Sequence, residues 1–559
     1  MIRKLCLSIF LLLASGLAIG QARGHGPFTY ADSLRGNITP ERAWWDVQSY
    51  DLTIAPDYLE KSTKGHNIIV YKVVRDNADT KMQLDLQPPL QIDRALLDDR
   101  TSIAISHNPK DANVWYLDIP QQKLGSEHAI NVYFSGNPHI AVRPPWDGGW
   151  TFTKDSLGRP WMTVCCQGLG ASVWYPCKDH QSDEPDKGAT LTMVVPDTLV
   201  GVANGRLLSA KRIPGGLKSY TWGVVSPIST YCLIPYIGKY IEIKDSFKGE
   251  KGKLDMRFWA LDYHEELAKN YFHDQATKVL KAHEYWFGPY PFYEDSYKLV
   301  ETDNTGMEHQ SNVGYGNHFA FGYRGRDDSH TGYGLKSDFI ILHESAHEWW
   351  GNSLTSYDLA DMWLHESFAN YAEALFAEYY WGKKAGNDYV YGVRSGIKNK
   401  GTIIPAFNVN AEGTGDMYPK GGNMLHSIRH SMDNDGLFRS ILHGLQKDYY
   451  HKIVTGKEVV DYFNKKSGFD YSKVFEQYLN TTQVPTLRIY FTGHEVHFKY
   501  DSSIAGFNLP IVMDDGKVKV ALYPNEKWQT LKITDQQKGL LSPGLINYMY
   551  YVHVVQGKD

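Results

Sequence analysis

His343 and His347 stand four residues apart in the run Ile341-Leu342-His343-Glu344-Ser345-Ala346-His347-Glu348-Trp349-Trp350, and Glu366 follows nineteen residues after the second histidine. On an α-helix, residues i and i+4 share a face, so both imidazoles can reach one point. Glu344, one position round the turn, faces the same space. That is the spacing of a catalytic zinc site. Zinc in such a site takes three protein ligands and keeps a fourth position for water or substrate, and a carboxylate is a normal companion to two histidines. The expected ligands are therefore His343, His347 and Glu366, with one zinc per chain.

This requirement dictates local structure. Phe339, Ile340, Leu342 and Ala346 supply apolar residues at spacings of three and four around the motif, and Gly351-Asn352 gives a stop signal, so a first helix is expected to end near Gly351. From Leu364 onward, Phe368, Tyr371, Ala372, Leu375 and Phe376 recur at helical spacing up to Gly382, which puts Glu366 in the first turn of a second helix. Two packed helices then present three ligands to one metal. Zinc with an open position lowers the pKa of water towards about 7 and polarises a carbonyl, chemistry suited to amide hydrolysis. Glu344 is the expected general base, taking the proton of the attacking water and returning it to the leaving amine.

The stretch His343-Glu-Ser-Ala-His347-Glu-Trp-Trp-Gly351-Asn352, followed by Asp361-Met-Trp363-Leu-His365-Glu366-Ser367-Phe-Ala-Asn-Tyr371-Ala-Glu373, resembles the M1 family of zinc aminopeptidases, or gluzincins. Two positions depart from the family's usual pattern: His365 stands where Asn is general and Ser367 where Gly is general. The resemblance extends to further motifs. Tyr418, in Asp416-Met-Tyr418-Pro-Lys420-Gly421, resembles the Tyr-x-Lys-Gly element, which implies that its hydroxyl stabilises the oxyanion. Thr305-Gly306-Met307-Glu308-His309, after the apolar segment Tyr297–Val300, resembles the Gly-x-Met-Glu-Asn element. There the strand residues Gly306 and Met307 are expected to pair with the substrate backbone and Glu308 to bind its α-ammonium. Thr305 and His309 replace Gly and Asn, which alters the surroundings of the first side-chain pocket. Gln167, nine residues before Pro176, matches the family's Gln or Glu that also contacts the substrate amine.

The resemblance implies a multidomain α+β chain: a saddle-like β domain, a thermolysin-like α/β catalytic domain and a short carboxy-terminal β-sandwich. A length of 559 residues, 42% hydrophobic and 22% charged, is too long for one core and too balanced for extended disorder. Met1–Lys4 and the apolar Leu5–Leu13, with Ala18-Ile19-Gly20 before Gln21, read as a cleavable export signal over residues 1–20, giving a periplasmic or secreted protein. Alternating apolar runs such as Tyr50–Ile54, Ile68–Val74, Ile130–Phe134 and Leu191–Val195 suggest a β domain over 21–247. Polar Lys244–Gly252 marks the expected boundary. His264 to Phe287 reads as a helix stopped by Gly288-Pro289 within a catalytic domain over 248–484. Residues 485–559 alternate in hairpins, leaving no room for the long helical domain of many relatives.

The formal net charge of −5, with no block of five or more like charges, gives no footing for nucleic acid, and no second hydrophobic segment argues for membrane insertion. Peptides with a free amino terminus are the expected substrates, while the oligomeric state stays open. Cys165, Cys166, Cys177 and Cys232 admit three full disulfide pairings in an oxidising compartment. The alternatives are a zinc endopeptidase or other small-substrate hydrolase, which would not need Glu308, and a non-catalytic peptide-binding scaffold on the same fold.

Overall fold

The computed structural model describes residues 28–78 and 81–558, so the export-signal reading of residues 1–20 lies outside the described residues. The amino-terminal part is β-rich. Its largest sheet has eight strands, in which Trp45–Asp57 lies between Ser62–Val73, antiparallel, and Ala189–Pro196, parallel. Along Trp45–Asp57 the residues Tyr50, Leu52 and Ile54 are buried on one face, as period-two alternation requires. A smaller four-stranded sheet contains Gly149–Lys154, Pro160–Cys165 and Tyr236–Gly238, and it delivers the chain directly to Gln167.

A five-stranded sheet follows. Its strands run in the order Tyr240–Gly249, Gly252–Leu261, Tyr297–Glu301, Val313–Tyr315 and Gly306–Met307. Lys244–Gly252, polar in composition, is the end of a hairpin in this sheet, because Gly249 and Gly252 pair across the turn. Gly306–Met307 is its edge strand, antiparallel to Val313–Tyr315, so one side of its backbone is available to an extended peptide. Gly306 fits here for two reasons: its φ is +151°, and an added Cβ would come within 2.5 Å of the Ile340 side chain on the histidine helix.

Helix Glu265–Phe287 forms as its pattern predicts and stops at Gly288, whose φ is +93°. It packs on the histidine helix, Phe339–Ala346, which in turn packs on Trp363–Trp381. Strands Thr486–Thr492 and Glu495–Ser502 form the expected hairpin. Leu487, Ile489, Val496 and Phe498 join the same apolar cluster as Trp349, Trp363 and Leu364, so the core is continuous from the metal helices into this sheet. Two short helices, Asp535–Leu540 and Pro543–Met549, accompany it, which alternation alone did not predict. Cys165, Cys166, Cys177 and Cys232 are buried and unpaired. Among the described residues no helix is long and apolar enough to cross a membrane.

Candidate active site

His343 sits in the last turn of Phe339–Ala346, and His347 is the residue that caps it. The regular helix therefore ends five residues short of Gly351. Beyond it the backbone winds more widely, with the amides of Asn352, Ser353 and Leu354 bonding to the carbonyls five residues back, of His347, Glu348 and Trp349. Such i+5 winding recurs at functional sites. Glu366 lies in the first turn of Trp363–Trp381, as its pattern predicts.

The three side chains converge. Nε2 of His343 and Nε2 of His347 are 3.4 Å apart, and Oε2 of Glu366 is 3.6 and 3.4 Å from them. Ligand atoms about 2.0–2.1 Å from a tetrahedral zinc stand about 3.3–3.4 Å from one another. All three residues are buried, and Glu366 Oε2 has no hydrogen-bond partner among the described residues. An orphaned buried carboxylate oxygen facing two imidazole nitrogens is the donor set of a zinc site.

A second layer fixes these donors. His343 Nδ1 is 2.8 Å from Glu373 Oε1, and Tyr389 donates its hydroxyl to Glu373 Oε2 at 2.9 Å. His347 Nδ1 lies 3.0 Å from the Trp350 carbonyl. Both contacts leave Nε2 as the metal-facing nitrogen. His365 stays out of the ligand set, since its Nε2 accepts the Ser356 amide at 3.0 Å. Ser367 ties its helix to the segment that carries Tyr418, because its hydroxyl donates to the Met417 carbonyl at 2.7 Å. Gly421 makes room for it, since a Cβ there would fall 1.9 Å from Ser367 Oγ.

Around the triad lies a cavity of about 590 Å³ lined by Gln167, Gly306, Met307, Glu308, Glu344 and Tyr418, so every expected site residue borders one space. Burial pushes the Glu344 carboxyl up to about 7; His343 pulls against this and Glu308 adds to it. Tyr418 leads into helix Pro419–Met432, with its ring 6.0 Å from that of His343. Burial raises the Tyr418 hydroxyl well above the usual tyrosine range, so it remains a donor. Gln167 Nε2 lies 3.4 Å from Glu366 Oε1.

Glu308 is buried and accepts the Tyr231 hydroxyl at 3.1 Å, while its own carbonyl accepts Asn352 Nδ2 at 2.8 Å. Burial raises its carboxyl, which His347 opposes and Glu366 reinforces. Glu348 ties the same loop to the histidine segment by accepting the Ser311 amide at 2.8 Å. His309 turns away from the cavity and meets the Tyr236 hydroxyl at 2.6 Å. Glu348, Tyr231 and Asn352 stand in no motif that marks them for these contacts. Only Glu373 carried a local signal, being seven residues, or two turns, after Glu366 on the same helix.

Residues 271–478 match the model of the peptidase family M1 domain. A probable aminopeptidase 2 of Sulfurisphaera tokodaii is 22% identical over 66% of this chain and 48% of its own length. Human endoplasmic reticulum aminopeptidase 1 is 21% identical over 65% of this chain and 39% of its own. The chain thus spans less than half the length of these relatives. An M1 zinc metallopeptidase from Deinococcus radiodurans superposes with a TM-score of 0.66 at 20% identity, covering 79% of this chain and 96% of that one. A mutant of that protein bound to a Tyr-Ser-Ala substrate superposes with a TM-score of 0.64. The α+β architecture is shared with these structures. Residues 271–478 are thus those of a peptidase family M1 domain.

Proposed function

We propose that this chain is a zinc-dependent aminopeptidase that hydrolyses the amino-terminal peptide bond of peptides, with one zinc held by His343, His347 and Glu366. The observation that carries this reading is the buried Glu308 at the end of an edge strand, opening on the same cavity as the His-His-Glu group. A buried carboxylate there is matched by an α-ammonium and left uncompensated by a blocked amine.

Zinc, when bound, would polarise the scissile carbonyl and acidify water. The chain's own residues do the rest. Glu308 and Gln167 hold the amine, which allows one residue between that anchor and the metal. Because the amine sits at Glu308, the substrate backbone runs from there along Met307 and Gly306 towards Thr305, antiparallel to the edge strand. Glu344 accepts the proton of the attacking water and passes it to the leaving amine. Tyr418 donates its hydroxyl to the oxygen on which negative charge develops, a contact strongest in the transition state. The bound Tyr-Ser-Ala substrate of the Deinococcus protein supports peptides as the substrate class. The apolar Leu5–Leu13 after Arg3 and Lys4 supports export to the periplasm or beyond.

Reporter amides of single amino acids, each paired with its N-acetyl form, test the reading. The wild type is expected to favour the free amine by roughly 100-fold or more, the scale on which a site rejects a ligand that leaves its polar group unmatched. Glu308→Ala should raise KM for free-amine substrates and shrink that preference. Equal cleavage of free and acetylated compounds would favour the endopeptidase reading.

A further inference from the structure

We propose that a second cavity, separate from the catalytic one, binds a small organic anion, a carboxylate or phosphate ester on an aromatic or apolar body, with Arg439 and Lys447 holding the charge. No residue that lines this cavity lines the catalytic one, so the inference stands apart from the aminopeptidase reading. Its volume is about 720 Å³, within the range of small-molecule sites.

Helix Asp435–Asp448 supplies one wall. Gly436, Arg439, Ser440, His443, Gly444 and Lys447 recur at spacings of three and four, so they share one helix face, and all six border the cavity. The turn that ends helix Glu265–Phe287 supplies another, through Gly288, Pro289 and Pro291. These walls are tied together. Trp349 donates its indole N–H to the Gly288 carbonyl at 3.0 Å, and Gln446 Nε2 donates to the Trp349 carbonyl at 2.9 Å. The Tyr450 hydroxyl donates to the Pro291 carbonyl at 2.7 Å. The cavity is therefore preformed, and a ligand need not order a loop to enter it. Gln446 borders it and is 7% exposed, and its Oε1 has no hydrogen-bond partner among the described residues. A buried acceptor of that kind is matched by a ligand or by a bridging water.

Charge sets the ligand class. Among the described residues, Lys251, Arg439 and Lys447 line the cavity and no aspartate or glutamate does, although the whole chain carries a formal net charge of −5. Arg439 lays its guanidinium 3.8 Å from the centre of the Tyr285 ring and donates from Nε to the Tyr285 carbonyl at 2.5 Å. Its two terminal nitrogens remain, and a guanidinium held flat in this way offers them as a fork for carboxylate or phosphate oxygens. Lys447 stands two turns further along the same face. Lys251, at the tip of the hairpin that joins Gly249 to Gly252, lies 4.9 Å from the Tyr450 ring. Glu284, on the helix that ends in this wall, is engaged by the amides of Glu250 and Tyr290 at 2.8 and 2.9 Å. Phe287, Pro289, Pro291 and Tyr450 give the cavity its apolar surface. A cation would be repelled here and a neutral ligand would leave the charges unmatched, whereas an anion on a flat apolar body meets both features.

Isothermal titration calorimetry of the zinc-loaded wild type tests this with naphthoate and naphthyl phosphate, and with naphthamide and inorganic phosphate as the body and the charge alone. At least one naphthyl anion should bind with a Kd of about 1 mM or below, and the tighter of the two identifies carboxylate or phosphate as the head group. Naphthamide and inorganic phosphate should each bind at least roughly tenfold more weakly. Combining Arg439→Gln with Lys447→Gln should weaken the anion roughly 10- to 100-fold, the worth of hydrogen bonds to charged groups, and leave reporter-amide cleavage within about twofold. Ser440→Trp, which places an indole on the same helix face, should block binding as well and decides the matter if the double variant does not fold. Failure of both anions to bind overturns the proposal. So does binding that is unchanged in these variants, which would move the anion to the metal centre, or naphthamide or inorganic phosphate bound as tightly as the naphthyl anions.

Discussion

Glu344→Gln is expected to fold, to keep its zinc and to lose turnover by roughly a thousandfold or more. The amide has nearly the size and shape of the carboxylate, so the buried wall it completes should persist. It cannot accept a proton. Glu344 is assigned two proton transfers, from the attacking water and to the leaving amine, and general acid–base assistance contributes roughly 100- to 10,000-fold for a positioned group. The loss should fall on kcat, because Glu308 and Gln167 still hold the amine. Steady-state kinetics alongside metal analysis checks this. A zinc-loaded Glu344→Gln with near wild-type kcat would remove Glu344 from the mechanism.

His347→Ala is expected to release the metal and to abolish activity together. Nε2 of His347 is one of the three donors that converge among the described residues, and its loss leaves His343 and Glu366, too few to retain zinc through dialysis. The change should also appear without any assay of activity. A ligand bound only by the folded state stabilises it by about 4 kcal/mol when present at a thousand times its Kd. The wild type should accordingly lose several degrees of Tm on chelation, whereas His347→Ala should unfold at the same temperature with and without chelator. Full zinc occupancy in the variant would refute the ligand assignment.

The metal centre was legible because its information is local. Spacings of four along one helix, and a first-turn position on the next, fix three donors once the helices pack, and helical periodicity identified both helices. Less legible was how the histidine helix ends. Trp349 and Trp350 extend the apolar pattern, yet His347 already caps the helix, and the following turn depends on i+5 hydrogen bonds and on Gly351 at a φ of +128°. Polarity also misleads at Lys244–Gly252, where exposed strand ends around a hairpin resemble a junction between domains. The partners that hold Glu308 in place were not legible at all. Tyr231 comes from 77 residues away and Asn352 from 44, and nothing in either local sequence marks it for that contact. Such contacts follow from how the sheets pack, which single-sequence periodicity does not encode. Departures from the family pattern became intelligible only in three dimensions, as when Gly421 yields the space that Ser367 fills.

With its amine held at Glu308 and Gln167, a peptide should be hydrolysed only at its first bond. Mass spectrometry of an unmodified peptide of about ten residues, followed over time with the zinc-loaded wild type, tests it most directly. The expected result is a ladder of products each shortened by one residue from the amino terminus, together with free amino acids, and no shortening of the same peptide when its amino group is acetylated. Internal fragments appearing before the ladder, or equal digestion of the acetylated peptide, would contradict it.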